Sequence, residues 1–371
     1  MNPKQGPSGP VEKSPGKSTG SWEEARFRRA MESSTLTHVV AGANLPPLPA
    51  PSLEGLTAHV PATPELTEEL LLLRFTEQIA DRAPRIPRPP GASVEMDDWV
   101  TIDLIAYCGG LLLPELTAQQ ATFFLTPDAS LPGFAAVLLQ AGAAVGAHVT
   151  LNLTLPADYP LEPLRGAPVA CAVTVHAAAT VELPPGEGWS PEFLEALGFP
   201  REKGDALIEF ELEVEALQEQ QRQRAILEQI WDQLISRAPA QIPESTLELA
   251  LDMLWKEGQG RFLSAAGTDP QDVDHAGRMW VGNLELREGT RRRLHISLIV
   301  AAVARQERFT DVDPNALEDF VRSLAGATDL DAEGLLSEMR SDPTAARRIA
   351  EQYVWLRTVN FIFSRAETVE D

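Results

Sequence analysis

Leu131-Pro132-Gly133-Phe134 opens, and Pro156-Ala157-Asp158-Tyr159 closes, the stretch whose reading decides the fold. Pro132 presets φ for a turn and Gly133 lets that turn be sharp. A short apolar run follows, broken at Gly146. Val149, Leu151, Leu153 and Leu155 then alternate with His148, Thr150, Asn152 and Thr154, the period of a strand with one buried face. Pro156 cannot continue a paired strand. The stretch therefore predicts a turn, a short helix, a tight turn and a strand, in that order.

Outward from it, further strands are expected at Trp99 to Ala106, around Thr122 to Leu125, and at Pro168 to His176. Together they predict a β-rich unit over residues 94–183. Before it, Leu70, Leu71, Leu73, Phe75 and Ile79 predict a helix from Thr67 to Asp81, stopped by Pro84 and by Pro87-Arg88-Pro89-Pro90. Residues 65–93 thus read as a connecting helix and hinge. Residues 1–64 read as a disordered tail, a short helix with a Ser21/Glu24 capping box, and an extended proline-rich linker from Leu45 to Pro64.

Past Leu183-Pro184-Pro185-Gly186 the period changes from two to that of a helix, and residues 184–371 read as an α-helical arm region. Helices are expected at Ala206 to Arg237, Pro243 to Ala266, Asp272 to Glu307, Pro314 to Ala325 and Pro343 to Arg365. The prolines near three of their starts suit first-turn positions. Apolar side chains lie on more than one side of these helices, so each needs two packing partners or leaves apolar surface open. The fold class is α+β.

The chain has 371 residues, enough for two or three domains, and a net charge of −23. That charge opposes binding to nucleic acid or to anionic membranes. No apolar run is long enough to span a bilayer, and Met1 to Gly20 lacks the apolar core of a secretory signal. Two cysteines, Cys108 and Cys171, form no disulfide or metal framework. The expectation is a cytoplasmic protein with reduced thiols.

The order of parts resembles the trigger factor family of chaperones from the second domain onward. Val100-Thr101-Ile102-Asp103 resembles the opening strand of the family's FKBP-type prolyl isomerase domain, and Leu131 to Phe134 its Ile-Pro-Gly-Phe turn. Tyr159 ends a Pro-x-x-Tyr loop, and Leu164-x-Gly166 resembles the lead into the last strand. Leu183-Pro184, Pro191-Glu192-Phe193-Leu194 and Leu197-Gly198 resemble the connection to the arms. Arg224-Ala225-Ile226, Gln241-Ile242-Pro243 and Arg291-Arg292-Arg293-Leu294 resemble segments within them. The resemblance runs from about Thr67 to Glu370.

It implies an FKBP-like antiparallel sheet followed by client-binding helical arms, with no ATP, other cofactor or metal. Two departures qualify it. The family docks on ribosomes through a Gly-Phe-Arg-x-Gly-Lys loop, whereas Phe27-Arg28 here runs into Arg29-Ala30 without flanking glycines, so ribosome docking is not expected. In the isomerase cavity, the family's aromatic positions fall on Leu104, Leu113, Ala121 and Cys171, and its acidic position on Pro114. Leu131, Phe134, Tyr159 and Phe123 persist. Isomerisation in the family needs an apolar cavity that desolvates the imide, and a cavity stripped of rings is expected to catalyse weakly or not at all.

The resemblance thus implies an ATP-independent chaperone for unfolded or partly folded proteins. An active prolyl isomerase and a dedicated binding partner, inhibitor or export chaperone of one specific protein are the alternatives. Candidate client-binding residues are Trp255, Phe262, Met279, Trp280, Trp355, Phe361 and Phe363, with Trp255 and Trp280 expected to face an open cavity. The scattered histidines offer no metal-ligand spacing. Arg291 to Arg293 read as a solvated helix face, with docking of an acidic partner as the other reading.

Overall fold

A computed structural model describes residues 48–62, 66–127, 133–159, 164–181, 189–328 and 331–370. The capping-box helix, the Phe27-Arg28 segment, Leu131 and Pro132 lie outside these residues.

The sheet unit is built from β2 (Arg85–Pro87), β3 (Asp98–Cys108), β4 (Leu111–Leu112), β5 (Ala118–Phe124), β6 (His148–Thr154) and β7 (Pro168–Val181). All pairings are antiparallel. β3 and β7 run side by side along the centre; β6 and β2 share the outer edge of β7, while β5 and β4 share that of β3. Strict alternation along β3 sends Val100, Ile102, Leu104 and Ala106 to the core face. The helix Phe134–Gln140 covers that face with Phe134, Ala135 and Leu138. It starts from Gly133, whose φ of +80° is open to glycine at little cost and explains the residue there. β2 and Arg88 belong to the stretch read as a hinge, yet they tie into the sheet. Arg88 donates through Nε to Asp98 Oδ2 at 2.6 Å, and buried Asp98 also accepts from the Glu95 backbone N–H at 2.8 Å.

Eleven helices are present among the described residues, the first being α1 (Glu68–Arg82). Thr67 caps it, its Oγ1 accepting from the Leu70 N–H at 3.3 Å. The sheet-covering helix is α2, and α3 is Pro191–Ala196. The spine is α4 (Lys203–Arg237), roughly 50 Å long at 1.5 Å per residue. Its first half packs Ala206, Phe210 and Val214 against Phe75 and Ile79 of α1, Leu194 of α3, and Phe199. Its second half packs Ile226, Leu227, Ile230, Trp231 and Leu234 into a separate core. One helix serving two cores explains why its apolar residues follow no single stripe.

From the spine the chain turns into α5 (Glu244–Glu257), α6 (Gln259–Ala265), α7 (Pro270–Gly282) and α8 (Leu284–Gln306). It then enters α9 (Pro314–Thr328), α10 (Ala332–Ser341) and α11 (Pro343–Ser364). Two helices expected to be continuous are broken, at Gly258 and at Asn283. Asn283 accepts from the Leu286 N–H at 3.1 Å and so restarts the next helix. α10 was not expected.

The proline-rich linker contains β1 (Leu56–Val60), which pairs in parallel with the terminal strand β8 (Ala366–Glu370). Leu56 and Ala58 are buried with α4, α8 and α11. The second edge of β1 is covered by two glutamines of the spine. Gln229 accepts from the His59 N–H at 2.9 Å and donates to its carbonyl at 2.8 Å. Gln233 treats Thr57 in the same way, at 3.3 and 2.5 Å. Among the described residues no helix is long and apolar enough to cross a membrane.

Candidate functional site

The candidate isomerase residues gather in one place. Leu104, Leu113, Phe134 and Cys171 are buried in the core of the sheet unit, and Phe123 and Tyr159 pack half-buried against it. The Phe123 and Phe134 rings meet edge-on with centroids 6.0 Å apart. Register explains Cys171, which lies between Ala106 and Leu151 on the neighbouring strands. Burial pushes its thiol up to about 11, so it stays protonated and unreactive at neutral pH. Burial and then the charge of Glu115 raise the Tyr159 hydroxyl as well. Among the described residues these side chains include no acid or base positioned for proton transfer.

The candidate client residues fall into three groups. Trp355, Phe361 and Phe363 lie half-buried against the core of α4, α8 and α11, with Phe361 edge-on to Phe309 at 5.3 Å. Met279 is exposed. Trp255, Phe262 and Trp280 belong to a cluster at the base of α5 to α7, where Trp255 and Trp280 lie 5.9 Å apart. Trp255 and Phe262 are only 6 % exposed. The missing partner is the sheet unit. Its β3–β4 turn inserts Leu112 among Trp255, Phe262, Leu263 and Ala276, flanked by Ile105 and Tyr107. Gln259 Nε2 secures the turn by donating to the Pro114 carbonyl at 2.9 Å. Burial, and then Asp272 and Asp269, raise the Tyr107 hydroxyl at this seam.

On its other side Trp255 lines a groove of about 780 Å³ between α5, α6 and α7. The rim carries Asp252 paired with Lys256 at 2.6 Å, and Asp274 paired with Arg278. Several large aliphatic side chains lie outside every core: Ile208, Leu212 and Leu217 on the spine, Leu249 on α5, and Leu284, 78 % exposed at the start of α8, and of these only Leu249 was singled out in the sequence. Apolar neighbours that do enter the cores, such as Phe210 beside Ile208 and Leu251 beside Leu249, hid them in the sequence.

Arg292 is committed to Asp232 and Glu228 at 2.5 and 2.9 Å, and Arg291 to Glu244 at 3.3 Å, so these two arginines join helices. His176 pairs with Asp103 at 2.7 Å and His148 with Thr174 at 2.8 Å.

Residues 206–364, the spine and arms, match the family model of the bacterial trigger factor C-terminus. The chain is trigger factor-like. A trigger factor of Novosphingobium aromaticivorans is 26 % identical over 335 residues, covering 88 % of this chain and 61 % of that relative. One of a Geobacter species is 24 % identical over 82 % of this chain and 68 % of its own length. One of Coxiella burnetii is 27 % identical over 94 % and 76 %. A solved trigger factor chaperone structure, titled for promiscuous substrate recognition in folding and assembly, aligns over 80 % of this chain and 67 % of that one, at 15 % identity and a TM-score of 0.28. The similarity to trigger factors thus extends through the sheet unit as well as the arms, while the chain spans less than two thirds of the first relative's length.

Proposed function

We propose that this chain is an ATP-independent chaperone of trigger factor type, holding unfolded or partly folded polypeptides in the cytoplasm. It would do so without ribosome docking and with little or no prolyl isomerase activity. The observation that carries the reading is the set of exposed aliphatic side chains on the spine and arms, led by Ile208, Leu212, Leu249, Met279 and Leu284. Burying one such side chain against a client is worth roughly 1.5–3 kcal/mol, so several weak contacts can hold a client reversibly. A net charge of −23 keeps a protein with such a surface from associating with itself and opposes contact with ribosomal RNA. Leu104, Leu113, Ala121 and Cys171 at positions where the family carries aromatic rings support the loss of catalysis, because few rings remain to desolvate an imide.

The test is suppression of aggregation. A chemically denatured reporter protein is diluted into buffer with the chain and without nucleotide. Light scattering should fall in proportion to added chain and approach zero near equimolar. Scattering unchanged at a fivefold excess overturns the proposal.

A further inference from the structure

The groove between α5, α6 and α7 has at its floor a hydrogen-bond donor that the chain itself does not use. Trp255 is more than nine-tenths buried, yet its indole Nε1–H meets no acceptor among the described residues. A buried indole N–H ordinarily finds one. The atom is not sealed from solvent either. It lies between Gly260 and Gly277, and both glycines line the groove. A methyl group on either would stand 2.7 or 2.8 Å from Nε1, so the hydrogens there keep the donor open to the groove. Glycines at such a place also let another backbone come close. Pro270, Val273 and Val281 supply apolar walls. Of the charges on the rim, Asp252 is matched by Lys256 and Asp274 by Arg278. Arg261, exposed and adjoining Gly260, has no ion-pair partner among the described residues. Glu248, the other unmatched charge, lies two turns of α5 from Trp255, about 10 Å along the axis.

We propose that this groove is a client subsite for an extended segment with small aliphatic side chains. One backbone carbonyl of the segment accepts from the Trp255 indole N–H, and a neighbouring aspartate or glutamate side chain meets Arg261. The inference rests on the holding function proposed above and names the segment that one subsite takes. The indole can only donate, so it selects an acceptor, and an extended chain has carbonyls to spare whereas a helix spends its own. That contact gives affinity to any sequence that fits between the valines. Arg261 adds the choice among sequences, because its planar guanidinium takes a carboxylate with two parallel N–H donations. A volume of about 780 Å³ suits a short stretch of chain. The preference for an acidic residue runs against the total charge of −23, which by itself repels anions, and is therefore a signature of Arg261 and not of the general field.

The test uses three end-capped fluorescent peptides, Ala-Val-Ala-Asp-Ala-Val-Ala and its counterparts with Asn or Lys at the centre, whose sequences read alike in both chain directions. Anisotropy is followed with the full chain and with its Arg261→Gln variant. The Asp peptide should bind the unaltered chain about fivefold tighter than the Asn peptide, and the Lys peptide more weakly than either. In Arg261→Gln the Asp peptide should lose that advantage. A second measurement reads the donor directly. With isotope-labelled tryptophan in the full chain, the indole N–H resonance that disappears in Trp255→Phe should move downfield as the Asp peptide saturates, as an N–H does on entering a hydrogen bond. The affinity comparison needs only the exposed Arg261 and stands if Trp255→Phe does not fold. A Trp255 resonance unmoved at saturation, or equal affinities of the Asp and Asn peptides for the unaltered chain, overturns the inference. Aggregation suppression is measured on the same samples: if it persists while the peptides fail, the subsite is wrong and the holding function stands. If the peptides bind as expected but suppression is absent, the holding function is wrong.

Discussion

Gly277 and Gly260 show how little a single residue reveals outside its contacts. In a helix a glycine reads as a weakness of about 1 kcal/mol relative to alanine. Here a Cβ at Gly277 would lie 2.8 Å from Trp255 Nε1, and one at Gly260 2.7 Å from the same atom and 2.9 Å from the Trp255 carbonyl oxygen. All three distances are inside van der Waals contact, so the two glycines are the slot into which the indole fits. Gly277→Ala should therefore destabilise despite its better helix propensity, by about 1–3 kcal/mol of overpacking. Thermal unfolding of the variant measures this, and a melting temperature at or above that of the unaltered chain contradicts it. Gly289, on α8, has no atom within 4 Å of a built Cβ and is the matched control: Gly289→Ala should leave stability unchanged or raise it. Cys171 was more legible, because the alternation of β7 already placed it on the core face.

At the scale of elements, legibility followed locality. The strands of the sheet unit announce themselves through alternation, since one face of each is buried. Helix breaks at Gly258 and Asn283 do not, because neighbouring residues keep a helical pattern on both sides. The pair β1 and β8 was invisible for a different reason: its strands come from the two ends of the described chain, and β1 sits among prolines that read as a linker. What fixes β1 is the spine. Gln229 and Gln233, one turn apart, satisfy its outer edge, while Arg237 donates to the carbonyls of Ser52 and Glu54 at 2.9 and 2.7 Å. Replacing both glutamines by leucine should cost about 1–3 kcal/mol in total, since these bonds are solvent-accessible and water compensates in part. The sharper readout is hydrogen exchange. Thr57 and His59 amides should lose protection while Leu56 and Ala58, buried beneath β8, exchange more slowly. Unchanged protection at Thr57 and His59 would mean that the glutamines are bystanders.

Across the whole molecule, the order of parts was readable from colinear motifs, whereas the seat of the sheet unit on α5 to α7 was not. That seam rests on Leu112, a residue in a two-residue strand too short to have a period, and on Gln259, one of many polar residues on a helix surface. The seam also bears on catalysis. Leu113 and Pro114, which stand at isomerase positions by resemblance, adjoin the seam: Leu113 is buried in the sheet core and the Pro114 carbonyl accepts from Gln259. An isomerase must admit a prolyl ring and lower a barrier of roughly 18–20 kcal/mol, each tenfold acceleration needing about 1.4 kcal/mol of transition-state stabilisation. Leu104, Leu113, Phe134 and Cys171 are buried in the core of the sheet unit, and with leucine, alanine or cysteine at the positions where the family carries rings, little aromatic wall is left to desolvate an imide. We therefore expect the full chain, at micromolar concentration, to change the cis–trans relaxation rate of a proline tetrapeptide by less than about twofold. The Leu112→Ser variant separates two explanations of that silence. If its rate stays within the same limit, the sheet unit itself lacks the wall for catalysis; if it accelerates isomerisation tenfold or more, the sheet unit is a working isomerase that the arm holds shut.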